Sequence, residues 1–203
     1  MTPGTIVRLI KQAEALDDCS ETREAVFAVR WIAWEGLRER ILIIAAAKAG
    51  WRIADASAAI AEARISSNIA FERTLKKLTG FGVSQQFGGD SIKAWRALAE
   101  VEQLRHLVFH GRQGLPLRVW RGANQVVRAA LHGGEEWFGT VEVRGPDGGL
   151  RTLGNPMALR PPGVRWGVQS RLRSELASIL GVAPKSGGYV AVTAAQVVRW
   201  NSL

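Results

Sequence analysis

The chain has 203 residues, a net charge of +9 and 47% hydrophobic residues, enough for one domain, or one domain with a small extension, that buries a full core. Its single cysteine, Cys19, excludes an intramolecular disulfide, and its most apolar run, residues 41–47, is far too short to span a bilayer. We expect a cytoplasmic protein with no cofactor and no membrane partner.

Hydrophobic periodicity predicts helices through the first two thirds of the chain. The expected helices cover residues 5–17, 21–49, 54–64, a segment capped by Ser66 or Ser67 that runs to 78, a segment capped by Ser91 that Gly111, Gly114 and Pro116 end, and 117–131. The long second helix should bury the apolar face formed by Val26, Trp31, Trp34, Leu37, Ile41, Ile44 and Ala45.

Four charged residues on the same long helix form a pattern typical of an exposed face: Glu35, Arg38, Glu39 and Arg40. An acidic residue here could orient a catalytic histidine.

The sequence pattern of the last third of the chain differs and predicts short strands as well as helices. Residues 137–144 alternate like a strand, 145–149 are turn residues, and 150–153 can pair back as a hairpin. A basic helix is expected over 168–180, a short strand over 189–192, and a final helix capped by Thr193. The predicted fold is therefore mainly α: a helical bundle over residues 1–132, with antiparallel helices, and a basic α+β extension over 133–203 that has one β-hairpin and two short helices.

Positive charge is concentrated in this extension. Residues 151–203 contain seven lysines and arginines against Glu175 alone, which favours a polyanionic partner such as RNA. A solvated basic surface is the alternative. The residues predicted to contact RNA are Lys76 and Lys77 beside the glycine-rich loop 79–90, Arg112, Arg165, Trp166 as a base-stacking side chain, Arg171 and Arg173.

A short motif near the middle of the chain contains the candidate catalytic residues. Arg105, His106 and His110 bring two of the three histidines and one arginine within six consecutive residues. Cleavage of RNA through its own 2′-hydroxyl needs a base, an acid and a cation beside the phosphate. Imidazole supplies the first two near neutral pH. Guanidinium supplies the third, because it stays charged and matches phosphate oxygens two at a time.

Helical geometry limits which of these groups can cooperate. His106 and His110 would lie roughly 40° apart around a helix, whereas Arg105 and His110 would lie roughly 140° apart. Arg105 must curl around the helix, start from a frayed turn, or meet the groups of a second copy. We favour the last arrangement, which makes a homodimer part of the mechanism.

At this point the sequence resembles a known superfamily. Arg105, the polar His106, then His110 and Gly111 at the end of an amphipathic helix are similar to the R-x-x-x-x-H signature of the HEPN superfamily, over residues 5–131. The resemblance implies a helical domain, metal-independent ribonuclease activity that leaves a 2′,3′-cyclic phosphate, a site built across a homodimer, and roles as a toxin or phage-defence effector with an antitoxin or defence-complex partner.

Other interpretations of the motif stay open. Its cationic groups can simply offset the dipole of a last helical turn. A zinc site on His106 and His110 would need a third ligand from distant Cys19, His132 or a carboxylate. The alternative function is a non-catalytic HEPN-like module that binds RNA or a nucleotide within a larger complex. A third is a DNA-binding regulator that uses the helix over 168–180.

Overall fold

The computed structural model describes residues 1–16, 21–83, 89–109, 114–132, 138–158, 171, 173–180 and 194–201. Within these ranges the protein is mainly helical, with 73% of residues in eight helices and one small antiparallel sheet of two strands. In chain order the elements are α1 (Pro3–Ala15), α2 (Arg23–Lys48), α3 (Ile53–Ala63), α4 (Asn68–Thr79), α5 (Gly89–Phe109), α6 (Leu117–His132), β1 (Glu142–Arg144), β2 (Leu150–Thr152), α7 (Arg173–Leu180) and α8 (Ala194–Trp200).

Local side-chain chemistry explains several of these boundaries. The Thr2 hydroxyl accepts a hydrogen bond from the Thr5 amide at 3.2 Å and caps α1. Ser67 caps α4 in the same way, since its hydroxyl accepts from the Ala70 amide at 3.1 Å. Gly80 ends α4 in the left-handed conformation, with φ of 86°, which costs glycine little.

The long helix α2 has the predicted apolar face buried, but the expected exposed face is wrong in part. Of the four residues predicted to be exposed, Arg38 is only 3% exposed and Arg40 is half-buried. Lys48, which was not part of that prediction, is also buried, at 4% exposed. The second half of α2 has buried apolar residues on several of its sides, for example Leu42, Ala46 and Ala49. A helix enclosed in this way has no wholly polar side, so its charged residues cannot all reach solvent.

Contacts divide the chain into two compact units. The first, here called unit A, comprises Met1, Leu37–Gly88 and Gly134–Ser186. The second, unit B, comprises Thr2–Gly36, Gly89–Gly133 and Gly187–Leu203. Both units therefore draw on segments before and after residue 132. The predicted domain boundary at that residue stays a prediction.

Unit A has α3 and α4 packed against α7, with β1 against α4. Phe71 of α4 meets Phe138 edge-on, with ring centroids 5.8 Å apart. In the hairpin Val143 pairs with Arg151, and the turn closes through a 2.8 Å bond from the Gly145 amide to the Gly149 carbonyl. The hairpin prediction is thus confirmed in a shorter form.

Unit B is held by α5 packed on α6, with α8 against both. Phe27 of α2 stacks near Trp31 and Trp120, with centroids 5.8 Å and 5.5 Å away. α8 is anchored to α5 because Arg199 donates to both carboxylate oxygens of Glu100, and the Trp200 indole donates to the same carboxylate at 3.0 Å.

A glycine allows α8 to approach α6 closely. A Cβ atom at Gly122 would lie 3.3 Å from the Cβ of Trp200 and 3.1 Å from the Asn201 side chain. Trp200 is fully buried at this contact.

Three boundaries were predicted wrongly. α5 begins at Gly89, so Ser91 lies inside its first turn and is not its cap. The first strand begins at Glu142, because Phe138 adopts a helical conformation and points into the core. The basic helix begins at Arg173, since the chain bends at Arg171. The strand expected over 189–192 and the Thr193 cap lie outside the described residues.

None of the helices within the described ranges combines the length and apolarity needed to cross a membrane.

Candidate functional site

Arg105 and His106 lie near the C-terminal end of α5, two turns or less from its last residue, Phe109. As consecutive residues on a helix they point about 100° apart. Leu104 and Leu107 on either side are buried, whereas Arg105 and His106 are half-buried. The apolar neighbours therefore fix the rotation of this part of α5 and leave the Arg105 and His106 side chains at the margin of the core. His110, the third predicted catalytic residue, lies outside the described residues.

A carboxylate from α2 holds Arg105. The Nε atom of Arg105 lies 3.1 Å from Oε1 of Glu35, and the side chains of Arg105 and Glu35 are 27% and 33% exposed. The same Oε1 atom accepts a 3.0 Å hydrogen bond from the indole of Trp31, one turn earlier on α2. Trp31 itself is fully buried. The guanidinium of Arg105 is thus tied to a carboxylate that is tied in turn to a core side chain.

The sequence did not predict the contact between Arg105 and Glu35, although it does indicate the contact between Glu35 and Trp31. Trp31 and Glu35 are four residues apart, so they share a face of α2. Nothing in the sequence indicates which distant cation meets that face. The role suggested for Glu35, to orient a catalytic histidine, stays a prediction, and Glu35 forms an ion pair with Arg105. Glu39 instead accepts from the N-terminal ammonium of Met1 at 2.8 Å.

No group of three histidine, cysteine, aspartate or glutamate side chains in the described part of the chain is arranged to hold a metal ion. The zinc hypothesis required His106 and His110, with a third ligand from Cys19, His132 or a carboxylate. His110 and Cys19 both lie outside that part. His132, the remaining candidate ligand, has its Nε2 atom 3.1 Å from Oε1 of Glu14.

Two of the residues predicted to contact RNA are engaged within unit A. The Lys77 ammonium donates to the carbonyl of Ile179 at 2.9 Å and thereby ties α4 to α7. The Arg171 guanidinium lies 3.7 Å from the ring centroid of Trp51, and its Nε atom donates to Glu175 at 3.1 Å. These contacts give both cations a structural role.

Of the other predicted RNA contacts, Lys76 is the one whose side chain lies among the described residues. Lys76 is exposed on α4. Arg173 begins α7, but its side chain lies outside the described residues, as do Arg112, Arg165 and Trp166.

The chain matches no family model, no curated protein and no solved structure. The resemblance to the HEPN superfamily therefore depends on the motif residues alone.

Proposed function

We propose that the protein is a metal-independent endoribonuclease of the HEPN type. In this proposal His110 is the main proton-transfer group, Arg105 stabilises the negative charge of the phosphate in the transition state, and His106 orients the site or transfers the second proton. The observation that carries the proposal is the anchored position of Arg105, 3.1 Å from Glu35 and next to His106 at the end of α5.

The anchor matters because a catalytic cation must be placed before the substrate arrives. A free arginine loses side-chain entropy when it orders on a phosphate, whereas a tethered one has already lost it. The Nε contact with Glu35 accounts for one of the five N–H donors of a guanidinium. With 27% of its side chain exposed, Arg105 lies at a depth where a phosphodiester could approach.

The reaction proposed for these groups is internally balanced. A base removes the proton of the 2′-hydroxyl, and the 2′-oxygen forms a bond to phosphorus. The bond from phosphorus to the 5′-oxygen breaks, and an acid delivers a proton to that oxygen. The products are a 2′,3′-cyclic phosphate and a 5′-hydroxyl. Two imidazoles near neutral pH suit both transfers, and neither an oxidant nor a metal is required by the balance.

A homodimer completes the proposal. Because Arg105 and His110 would lie roughly 140° apart on one helix, the arginine of one copy would work with a histidine of the other. A toxic nuclease also needs control, so we include an antitoxin or a defence complex as the expected partner.

The test uses labelled RNA in excess EDTA, with the product ends identified. Arg105→Ala and His110→Ala should each reduce cleavage by at least about 100-fold. Arg96→Ala, an exposed arginine on the same helix, and His132→Ala, an exposed histidine on α6, are matched controls that should retain activity. Retained cleavage in both motif variants, or loss of cleavage in EDTA, would refute the proposal.

The alternative is a non-catalytic module that binds RNA or a nucleotide. One observation weighs against catalysis, since Glu35 offsets part of the charge that Arg105 would offer to a phosphate in the transition state. Glu35→Gln separates the two. For a nuclease this variant should lower kcat per folded molecule, because Arg105 loses its position. For a binding module the parent shows no EDTA-resistant cleavage, and the substitution should strengthen RNA binding because it removes the carboxylate charge beside Arg105.

A further inference from the structure

Helix α6 has two sharply different faces. One face is buried in unit B and includes Val119, Trp120, Ala123, Val126, Val127 and Ala130. The opposite face is exposed and carries Arg118, Arg121 and Arg128, with Gln125 between the last two. Because these positions are separated by three, four and three residues, they form one line along the helix.

We call Arg118, Arg121 and Arg128 the arginine stripe. At 1.5 Å per residue the stripe is about 15 Å long. α6 contains no aspartate or glutamate. Within the described ranges, no carboxylate lies within 4.0 Å of any of the three guanidiniums.

Other cations of unit B are treated differently. Arg105 pairs with Glu35, and Arg199 pairs with Glu100. The stripe therefore concentrates positive charge that has no carboxylate beside it within the described ranges. Neighbouring like charges at this spacing lower the free energy of unfolding. A ligand that supplies regularly spaced negative charge would remove that cost.

The chemistry of the stripe favours a phosphate backbone. Guanidinium forks clasp phosphate oxygens two at a time. A helix that lies on a membrane needs exposed apolar residues to insert between lipids. Here most apolar residues of α6 are buried in the core, and none lies fully exposed. The residues in the stripe line are all arginine or glutamine.

We infer that the arginine stripe binds the sugar-phosphate backbone of an RNA strand. The choice of RNA rests on the function proposed above. The stripe lies in the same unit as Arg105 and His106, on a helix that packs against α5. Lys77 and Arg171, which were predicted to hold RNA, are already engaged within unit A. The stripe is thus the strand-holding surface of unit B.

The experiment measures the affinity of the full chain for a 2′-O-methyl RNA, which cannot be cleaved, over a range of salt concentrations. The variant is the triple substitution Arg118→Gln, Arg121→Gln and Arg128→Gln. Each phosphate contact contributes about 0.7 to the slope of log affinity against log salt for a single strand. The triple variant should therefore lower the slope by about 2 and weaken binding at least about 10-fold at 0.1 M salt.

A matched control removes the same charge elsewhere. Arg8→Gln, Arg52→Gln and Arg144→Gln replace three exposed arginines that lie on α1, before α3 and on β1. This control should keep the parent slope. A second variant, Arg118→Lys, Arg121→Lys and Arg128→Lys, keeps the positive charge. It should therefore keep most of the parent's slope of log affinity against log salt. Thermal unfolding of the stripe variant should be unchanged or shifted to higher temperature, since the substitution removes mutual repulsion.

Three results would overturn the inference. The stripe and control variants could lose RNA affinity equally, or neither could lose it. The stripe variant could also bind RNA like the parent but lose the parent's binding to phosphatidylserine vesicles. The outcome is separable from that of the nuclease proposal. If Arg105→Ala and His110→Ala leave cleavage intact while the stripe variant loses RNA, only the catalytic proposal fails. If cleavage depends on the motif while the stripe variant binds RNA like the parent, only the stripe fails.

Discussion

The cations of α2 and those of α6 occupy opposite environments. On the second half of α2, Arg38 donates to Asn68 at 2.7 Å, Arg40 donates to the carbonyls of residues 156 and 158, and Lys48 donates to the carbonyl of residue 152. The arginine stripe of α6 points to solvent. The same residue types thus secure loops and strands in one region and form a charged surface in the other.

The difference teaches that net charge overstates the charge available to a partner. A buried guanidinium that donates to backbone carbonyls is committed to the fold. Of the +9 total, cations such as Arg38 and Lys48 have little exposure to offer an RNA. The position of a cation decides its role more than its type does.

The largest effect on stability should come from Arg38→Ala. The substitution removes the hydrogen bonds to Asn68 and to the Ser66 carbonyl and empties buried volume. We expect the free energy of unfolding to fall by about 2–3 kcal/mol. Urea denaturation of the parent and variant measures this loss.

The matched substitution is Arg121→Ala on the exposed face of α6. It should change the free energy of unfolding by less than about 0.5 kcal/mol, because alanine favours the helix and no described ion pair is lost. Equal losses in Arg38→Ala and Arg121→Ala would abolish the distinction between inward and outward cations.

A smaller effect is expected from Lys48, and it depends on pH. Burial, together with the positive charge of Arg151, holds the pKa of Lys48 below its ordinary value of 10.5. Between the folded pKa and 10.5 the unfolded chain binds more protons, so this lysine makes stability rise with pH in that window. Lys48→Met should lack that rise.

The measurement is urea denaturation at a series of pH values from neutral to alkaline. Lys11→Met, at an exposed position of α1, controls for the loss of one lysine and should retain the pH dependence of the parent. An identical pH dependence in the parent and Lys48→Met would show that Lys48 is charged as readily in the fold as in the unfolded chain.

The smallest effect should come from Asp147→Asn in the hairpin turn, where an exposed cation does have a partner. The Arg151 guanidinium, which donates to Asp147 at 2.7 Å, and then the Gly149 amide hold the pKa of this carboxyl below its ordinary value of 3.8. The parent should be slightly more stable than the variant above that pH, and the difference should vanish as the pH falls through the lowered pKa. Thermal unfolding in acid and at neutral pH tests this, and a difference that persists in acid would contradict it.

Much of the helical architecture could be predicted from local signals. Ser67 sits where a cap is needed before an amphipathic run, and α4 begins right after it. The apolar spacing of α2 gave its buried face, since periodicity reflects burial directly. The misplaced start of the first strand reflects tertiary packing: Phe138 contacts Phe71 within unit A, and no local pattern encodes that pairing.

The candidate site was harder to predict for the same reason. Arg105 and His106 could be found because they are adjacent in sequence. Glu35 contacts Arg105 across 70 positions of chain, and charge patterning treats both as ordinary surface groups. The stripe on α6 was visible as isolated arginines, but its significance depends on the absence of described carboxylates beside it, which only the folded arrangement shows.

The anchoring of α8 has a consequence for biosynthesis. Trp200 is fully buried against α6, yet about 60 residues separate the end of α6 from the start of α8. At about 5–20 residues per second of translation, the ribosome needs roughly 3–12 s to deliver α8 after α6 has emerged. During that interval the surface that Trp200 will cover stays exposed on the nascent chain.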